Sequence, residues 1–369
     1  MQSLSTNQIF LNASFSKEEF KKTYLAAIEA KFGKKQETIV SYPGGKLKMK
    51  KELNEIFTEM AETNKFTTYI DGFFGMGGSF KALSDALLEH QVKEIIVNDI
   101  NKCIVIMHKC IRDYADEMIE YYLERIRCDI VMSYQKLFIV AEDLIIVKKK
   151  WIAEFEAFQK DKKFGIETST LFIMLCAFNF SGVVQMNKKG DIKFTQRLYC
   201  VGDLKNFLFN TMSRIRTFNE LYNKFDMKFY SNDYFALFQN YQYKTNTIWN
   251  IDTVYLKEDY SEYIKSDMEN IKNSSIVGCS CNYGQDDFDH IGVLETLKNI
   301  NFIYNNNTHP LIYHYIEKLK LKHKKFTRHE AISSSIKENA KAIQELIVYG
   351  NNFKYASTNQ PDYAPKKAA

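Results

Sequence analysis

Apolar side chains at helical spacing open the chain. Phe20, Tyr24, Leu25 and Ile28 share one helical face, Ser16 and Glu19 form an S-x-x-E capping box before them, and Gly33 follows. The pattern predicts a helix within residues 12–34. "SYPGGKLKMK" (41–50) reads as a turn opening a second helix, roughly 47 to 61. A β-rich run from Phe66 to Ile70 meets a glycine-rich turn, a helical pattern follows from Ser79 to about His90, and a second apolar run from Glu94 to Val97 ends in Asn98-Asp99. That is a β-loop-α-β unit of Rossmann type. From 102 to about 227 the periodicity is helical, with "VKKKWIAEFEAFQKDKKF" as a lysine-flanked amphipathic helix. "LFIMLCAFNFSGVVQMNKKGDIKF" (171–194) is an apolar helix running into a loop or hairpin. Strand patterns return at 227–233, 246–252, 274–282, 323–332 and 345–350. The predicted class is an α/β sheet domain built from 37–102 and 229–355 and interrupted by a mostly helical insertion at 103–228. A helical extension at 1–36 precedes it, and a disordered tail follows at 356–369.

Composition narrows this only a little. A content of 45% hydrophobic and 26% charged residues is ordinary for a globular protein. No stretch approaches the roughly 18 apolar residues of a membrane span, and the first residues carry no secretory signal pattern. A cytoplasmic protein, nucleoid-associated if bacterial, with no membrane partner is expected. The seven cysteines (103, 110, 128, 176, 200, 279 and 281) contain no CxxC pair, which argues against a zinc site or a disulfide framework and for reduced, mostly buried thiols. The net charge of +5 gives weak support for a polyanionic partner. Lysine richness alone carries little, because the abundance of Lys, Asn, Ile, Tyr and Phe fits an AT-rich coding bias.

Three motifs carry chemistry. In "DGFFGMGGS" (71–79), Gly75, Gly77 and Gly78 permit positive φ and close approach of a ligand where a strand meets a helix N-terminus. Phe80 stands where a dinucleotide fingerprint needs glycine, and no GK[ST] follows, so the loop does not read as a phosphate cradle. F-x-G-x-G suits S-adenosylmethionine, whose cationic methionine portion requires none. Alone, the loop is equally a tight structural turn. Asp99, one β-α-β step later, can accept the two hydroxyls of a ribose, although a lone Asp after a strand is usually a cap. Asp252-Thr253-Val254-Tyr255 follows the apolar run "NTIWNI". A carboxylate and a backbone carbonyl can accept the two hydrogens of an exocyclic amine and aim its nitrogen at an electrophilic methyl group, while an aromatic ring stacks on the extruded base. In isolation "DTVY" reads as a strand end with an ordinary surface Asp.

Taken in this order, the motifs resemble the Dam-like DNA adenine-N6 methyltransferases, with a glycine loop first, a target-recognition insertion in the middle and a D-P-P-Y tetrad late. "YPGGK" (42–46) resembles the family's P-G-G-K element, and "FNFSGVVQMNKKGDIKF" (178–194) its F-N-G-L-x-R-x-N-x-x-G-x-F-N segment. "YSNDYFALF" (230–238) sits like the N-x-D-F element, "CSCN" (279–282) like the S-N after the tetrad, and "ISSSIKENAKAIQEL" (332–346) like the I-S-S-N ending. The resemblance covers roughly residues 40 to 352. It implies a Rossmann-like S-adenosylmethionine-dependent methyltransferase sheet, with the insertion as a target-recognition domain. Cofactor would be bound by Tyr42, Lys46, Phe73, Gly75, Gly77, Asp99 and Asp233. The adenine would be held by Asp252, Thr253 and Tyr255. Double-stranded DNA would be contacted by Asn179, Gln185, Asn187, Lys188, Lys189 and Lys193, with phosphate-type charge also from Lys148, Lys149 and Lys150. No metal is implied.

The departures cluster. Both tetrad prolines are replaced, by Thr253 and Val254, so the loop lacks the stiffness that aims its carbonyl and ring, and impaired activity is expected. Gln185 replaces a basic residue, "IKFTQR" replaces F-N-x-P-F, and Lys337 and Lys341 stand where the ending would carry an arginine. Two main readings stay open: an adenine-N6 methyltransferase, or a silent homologue acting as a DNA-binding regulator or as partner subunit of an active enzyme. Methylation of RNA adenine is a third. Homodimerisation and a restriction–modification, phage or housekeeping setting are compatible with each.

Overall fold

The computed structural model describes residues 46–132, 141–177, 185–186, 191–194, 204–256, 288–330 and 341–352, with isolated positions between 16 and 39. Its elements fall into two compact units. One comprises Met1–Leu47, Gly75–Lys81 and Asn101–Asp226; the other comprises Lys48–Phe74, Ala82–Ile100 and Met227–Ala369.

The second unit carries the sheet. Helix α1 (Lys50–Thr63) precedes β1 (Thr68–Asp71), α2 (Gly78–Glu89) and β2 (Glu94–Asn98). After the helical segment come β5 (Asp226–Tyr230), α8 (Tyr234–Tyr241), β6 (Thr247–Asp252), α9 (His290–Thr296), β7 (Asn301–Asn307), α10 (Pro310–Leu319), β8 (Lys322–Glu330) and β9 (Lys341–Asn351). The strand order is β5-β2-β1-β6-β7-β9-β8. β1 pairs in parallel with β2 and β6, and β6 with β7, while β9 is antiparallel to both β7 and β8. This is the Rossmann-like arrangement. The chain leaves β1 for β2 on one side and returns to β6 on the other, so a topological switch point lies between the carboxyl ends of β1 and β6, where open α/β sheets bind ligands.

Central strands of a parallel sheet are covered on both faces, and the residues here obey that constraint. All four positions of β1 are buried, as are the first five of β6. Ile70, Ile96, Trp249, Ile251, Phe302, Tyr304, Leu346 and Val348 form one core with Leu237 and Phe238 of α8, Val293 and Leu294 of α9, and Leu311 and Ile312 of α10. Helix ends follow ordinary capping chemistry. Asp233 caps α8 by accepting from the Phe235 amide, and Pro310 opens α10 behind His309.

The first unit is helical. It holds α3 (Lys102–Asp113), α4 (Ala115–Ile126), α5 (Ala141–Lys160), α6 (Ile166–Ala177) and α7 (Leu204–Tyr222), with a short ribbon of β3 (Gln185–Met186) against β4 (Ile192–Lys193). α6 is its centre. Every residue from Thr168 to Cys176 is buried, and α3, α4, α5 and α7 pack around it. Among the described residues, Cys103, Cys110 and Cys176 are buried thiols and Cys128 is an exposed one.

Several expected elements have the predicted type. The Ser16–Glu19 capping box is present, with the Glu19 amide donating to Ser16 Oγ and the Ser16 amide to the Glu19 carboxylate. No strand or helix was expected across 290–319, where α9, β7 and α10 occur. The strand expected at 274–282 and the tail beyond 355 lie outside the described residues. No helix among the described residues is long and apolar enough to cross a membrane.

The Trp249 indole is 1% exposed and packs near Tyr234 and Phe238. Trp249→Ala should therefore lower unfolding free energy by about 3–5 kcal/mol, read from the midpoint of a denaturant titration.

Candidate active site

Register brings the site together. Asp71, the last residue of β1, pairs with Asn250, and Asp252, the last residue of β6, pairs with Asn305 of β7. The Asp71 carboxylate is 1% exposed and accepts from Tyr69 Oη (3.0 Å), Asn250 Nδ2 (3.1 Å) and the Phe73 amide (3.3 Å). Asn305 Nδ2 in turn donates to Asn250 Oδ1 (3.3 Å). A buried polar row thus crosses β1, β6 and β7 at their carboxyl ends. Burial pushes the Asp71 carboxyl up to about 7; its hydrogen bonds oppose the rise and the negative charge of Asp252 adds to it.

The loop after Asp252 is held from β7 and β9. Asn306 Nδ2 lies within hydrogen-bonding distance of Thr253 Oγ1 (2.8 Å), the Val254 carbonyl (3.1 Å) and Tyr304 Oη (3.1 Å). Asn306 Oδ1 accepts from the Leu256 amide (3.2 Å). Asn307 takes both backbone groups of Leu256: its Oδ1 accepts from the amide (3.1 Å) and its Nδ2 donates to the carbonyl (2.9 Å). Tyr255 Oη donates to Oε1 of the buried Glu345 at 2.6 Å. Thr253 and Leu256 are buried, and Asp252, Val254 and Tyr255 are half-buried.

On the cofactor side of the expected site, Phe73 is half-buried and stacks on Tyr234 with ring centroids 5.0 Å apart. A Cβ on Gly72 would stand 3.0 Å from the Tyr234 ring, so any side chain there would force that ring to give by a few tenths of an ångström. Asn98 ties two loops together: its Nδ2 donates to the Gly72 and Asn232 carbonyls, and its Oδ1 accepts from the Asn232 amide. Asp99 follows it, half-buried, with its amide donating to the Tyr230 carbonyl. Asp233 is exposed, and one carboxylate oxygen is engaged in capping α8.

In the helical unit, Gly75 and Gly77 have φ of +49° and +72°, the conformation for which glycine was expected. The Gly75 carbonyl faces His108 Nε2 at 2.7 Å, and Tyr222 Oη lies 2.7 Å from His108 Nδ1. A carbonyl only accepts, so Nε2 carries the proton and Nδ1 accepts from the tyrosine. Burial lowers the His108 pKa to about 4 and keeps the ring neutral. Lys46 is buried at 2% exposure. Gln185 and Lys193, both expected to meet DNA, stand opposite each other in the β3–β4 ribbon, which Gln159 holds by bonding both backbone groups of Ile192. Lys193 also pairs with Glu156. Tyr42, Asn179, Asn187, Lys188 and Lys189 lie outside the described residues, as do "CSCN" and residues 332–340 of the ending.

One expectation fails. Lys148 does not offer its charge to phosphate: it is 1% exposed in the helical core, and burial lowers its pKa to about 8. Lys150 pairs with Asp129, which also accepts from the Trp151 indole. The lysine run reads as amphipathic only if all three lysines are assigned to the surface, and helical rotation turns the first inward.

The sequence model of the D12 class N6 adenine-specific DNA methyltransferases matches residues 42–278, more than half of the chain. The chain belongs to that family. This D12-class protein is a methyltransferase for adenine N6 in DNA, and the silent regulator is not the favoured reading. No individual curated protein matches it.

The residues that sequence reasoning missed in this D12-class enzyme are Asn306, Asn307, Glu345 and His108. The signal for the first two was the run "NFIY" ahead of three asparagines, an apolar strand with polar residues at its carboxyl end.

Asp71 supplies a direct test of the site's electrostatics. The unfolded carboxyl ionises near 4 and the folded one about 7. Folding therefore holds the proton more tightly, and Asp71 subtracts from stability as pH rises between those values. A carbon-13 titration of the Asp71 carboxyl should give a midpoint near 7, and Asp252→Asn should lower it by removing the neighbouring charge.

Proposed function

We propose that the chain transfers a methyl group from S-adenosylmethionine to adenine N6 in double-stranded DNA, with Asp252, the Thr253 carbonyl and Tyr255 holding the base. The observation that carries this reading is the carboxylate of Asp252 at the carboxyl end of β6, beside the switch point of the sheet, within a family of adenine-N6 methyltransferases. Cofactor would be held by Tyr42, Lys46, Phe73, Gly75, Gly77, Asp99 and Asp233. Their chemistry fits it: Phe73 offers a flat apolar ring, Asp99 a half-buried carboxylate for ribose hydroxyls, and Gly75 a positive-φ backbone with open space where a Cβ would stand. The bound cofactor supplies an electrophilic methyl group.

The chain's own residues would orient and desolvate the amine. The Asp252 carboxylate would accept one hydrogen of the adenine amino group and the Thr253 carbonyl the other, turning the nitrogen toward the methyl carbon. Tyr255, its hydroxyl fixed by Glu345, would present its ring to the extruded base. Asp252 would also be placed to take the proton that the amine gives up. The neutral form of Asp71 below about pH 7 keeps a second negative charge away from it.

DNA would be engaged by the insertion, residues 103–228, through Asn179, Gln185, Asn187, Lys188, Lys189 and Lys193. Residues 37–102 and 229–355 would form the catalytic domain. A cytoplasmic, nucleoid-associated enzyme fits this role. Action as a homodimer or beside a second methyltransferase subunit is compatible with it.

Incubating the full chain with labelled cofactor and mixed-sequence duplex DNA should yield N6-methyladenine by mass spectrometry. Asp252→Ala should lower the rate by about 10²–10³-fold, the scale for removing one preorganised polar partner. Asp99→Ala should weaken cofactor binding about tenfold or more in a calorimetric titration, since a charged hydrogen-bond acceptor is lost. Product without DNA dependence, or no product at any salt concentration, would overturn the assignment. DNA affinity should also drop steeply with salt, because phosphate contacts release counterions.

A further inference from the structure

The tetrad's two prolines are missing, yet the loop is hydrogen-bonded to side chains of both β7 and β9. Asn306 and Asn307 project from the carboxyl end of β7, beside the strand that ends in Asp252. Asn306 joins Thr253 Oγ1, the Val254 carbonyl and the Leu256 amide, and Asn307 closes a two-point bond with the Leu256 backbone. Glu345, paired across the sheet with Asn307, fixes the Tyr255 hydroxyl. Leu256 is itself anchored by burial in the sheet core.

We propose that Asn306 and Asn307 are positioning residues that replace the two prolines, fixing the Thr253 carbonyl and the Tyr255 ring relative to Asp252 by side-chain amides from the next strand. The proposal rests on reading Asp252–Tyr255 as the base-holding loop. A proline ring restricts the loop from within by locking φ. The two asparagines restrict it from outside, by binding the backbone on either side of Tyr255. Thr253 is the residue type that makes this possible: its hydroxyl accepts the Asn306 amide, which proline cannot do. Neither asparagine touches the base or the cofactor in this scheme, and a catalytic role is not assigned to them.

The test uses two readouts on the full chain. The first is hydrogen exchange at the Tyr255 and Leu256 amides, which needs no activity. The second is the split between kcat and KM for methyl transfer to duplex DNA. Asn306→Ala should speed exchange at both amides at least tenfold and lower kcat about tenfold to a hundredfold, the scale of a loop misplaced by about 1 Å. KM for S-adenosylmethionine should stay within twofold. Asn307→Ala, which removes only the Leu256 contacts, should give the same signs with smaller size and guards against a fold defect in the first variant. The decisive arm is rescue. Thr253→Pro with Val254→Pro should recover most of the lost kcat in the Asn306→Ala background. Unchanged exchange in both asparagine variants would overturn the proposal. So would a loss of kcat that tracks loss of folded protein and is not rescued by the prolines. If exchange responds as expected while the wild type transfers no methyl group, the clamp stands and the functional assignment is what fails.

Discussion

Parallel pairing of β6 with β1 on one side and β7 on the other governs the site. A parallel register fixes which residues reach the carboxyl edge together, and here it delivers Asp71, Asn250, Asp252 and Asn305 to adjoining positions. Placing polar groups there would be costly in a strand edge sealed from water. The row tolerates it because Tyr69, Asn250 and the Phe73 amide satisfy the Asp71 carboxylate, and Asn305 satisfies Asn250. The apolar side chains of the same strands supply the core, so alternate demands on one short strand are met by residues one position apart.

Charge placement follows from that arrangement. Asp71 and Asp252 end adjacent strands, and both cannot be fully ionised without mutual repulsion in a poorly solvated edge. Burial raises the pKa of Asp71, the less exposed of the two, and the neighbouring charge of Asp252 adds to the rise. His108 shows the same economy in the helical unit. Its neutral ring joins a tyrosine hydroxyl to a glycine-loop carbonyl, two partners of which neither requires a positive charge.

The β-loop-α-β unit was legible in the sequence because glycine, alternation and helical period agree there. The helical character of the stretch from Lys102 to Tyr222 was legible for the same reason, down to the apolar second half of the central helix α6. β7 was not legible. Four asparagines in seven residues, at 301 and 305–307, carry the composition of a turn. Only the sheet reveals that their side chains serve as hydrogen-bonding groups within the fold. Asp252 and Tyr255 drew attention by their spacing. What holds them was hidden, because Asn306 and Glu345 lie about 50 and 90 positions away along the chain. Lys148 misled for the opposite reason: its charge was visible and its orientation was not.

The amide groups that hold the loop belong to a strand, and a strand has only two faces. Sliding β7 by one position against β6 would send Asn306 to the opposite face, and its bonds to Thr253, Val254 and Leu256 would be lost together. The loop and the strand are therefore heritable only as a set. A lineage that gained both prolines would free the asparagines to drift, and one that lost either asparagine first would hold its present tetrad only through the other asparagine and Glu345.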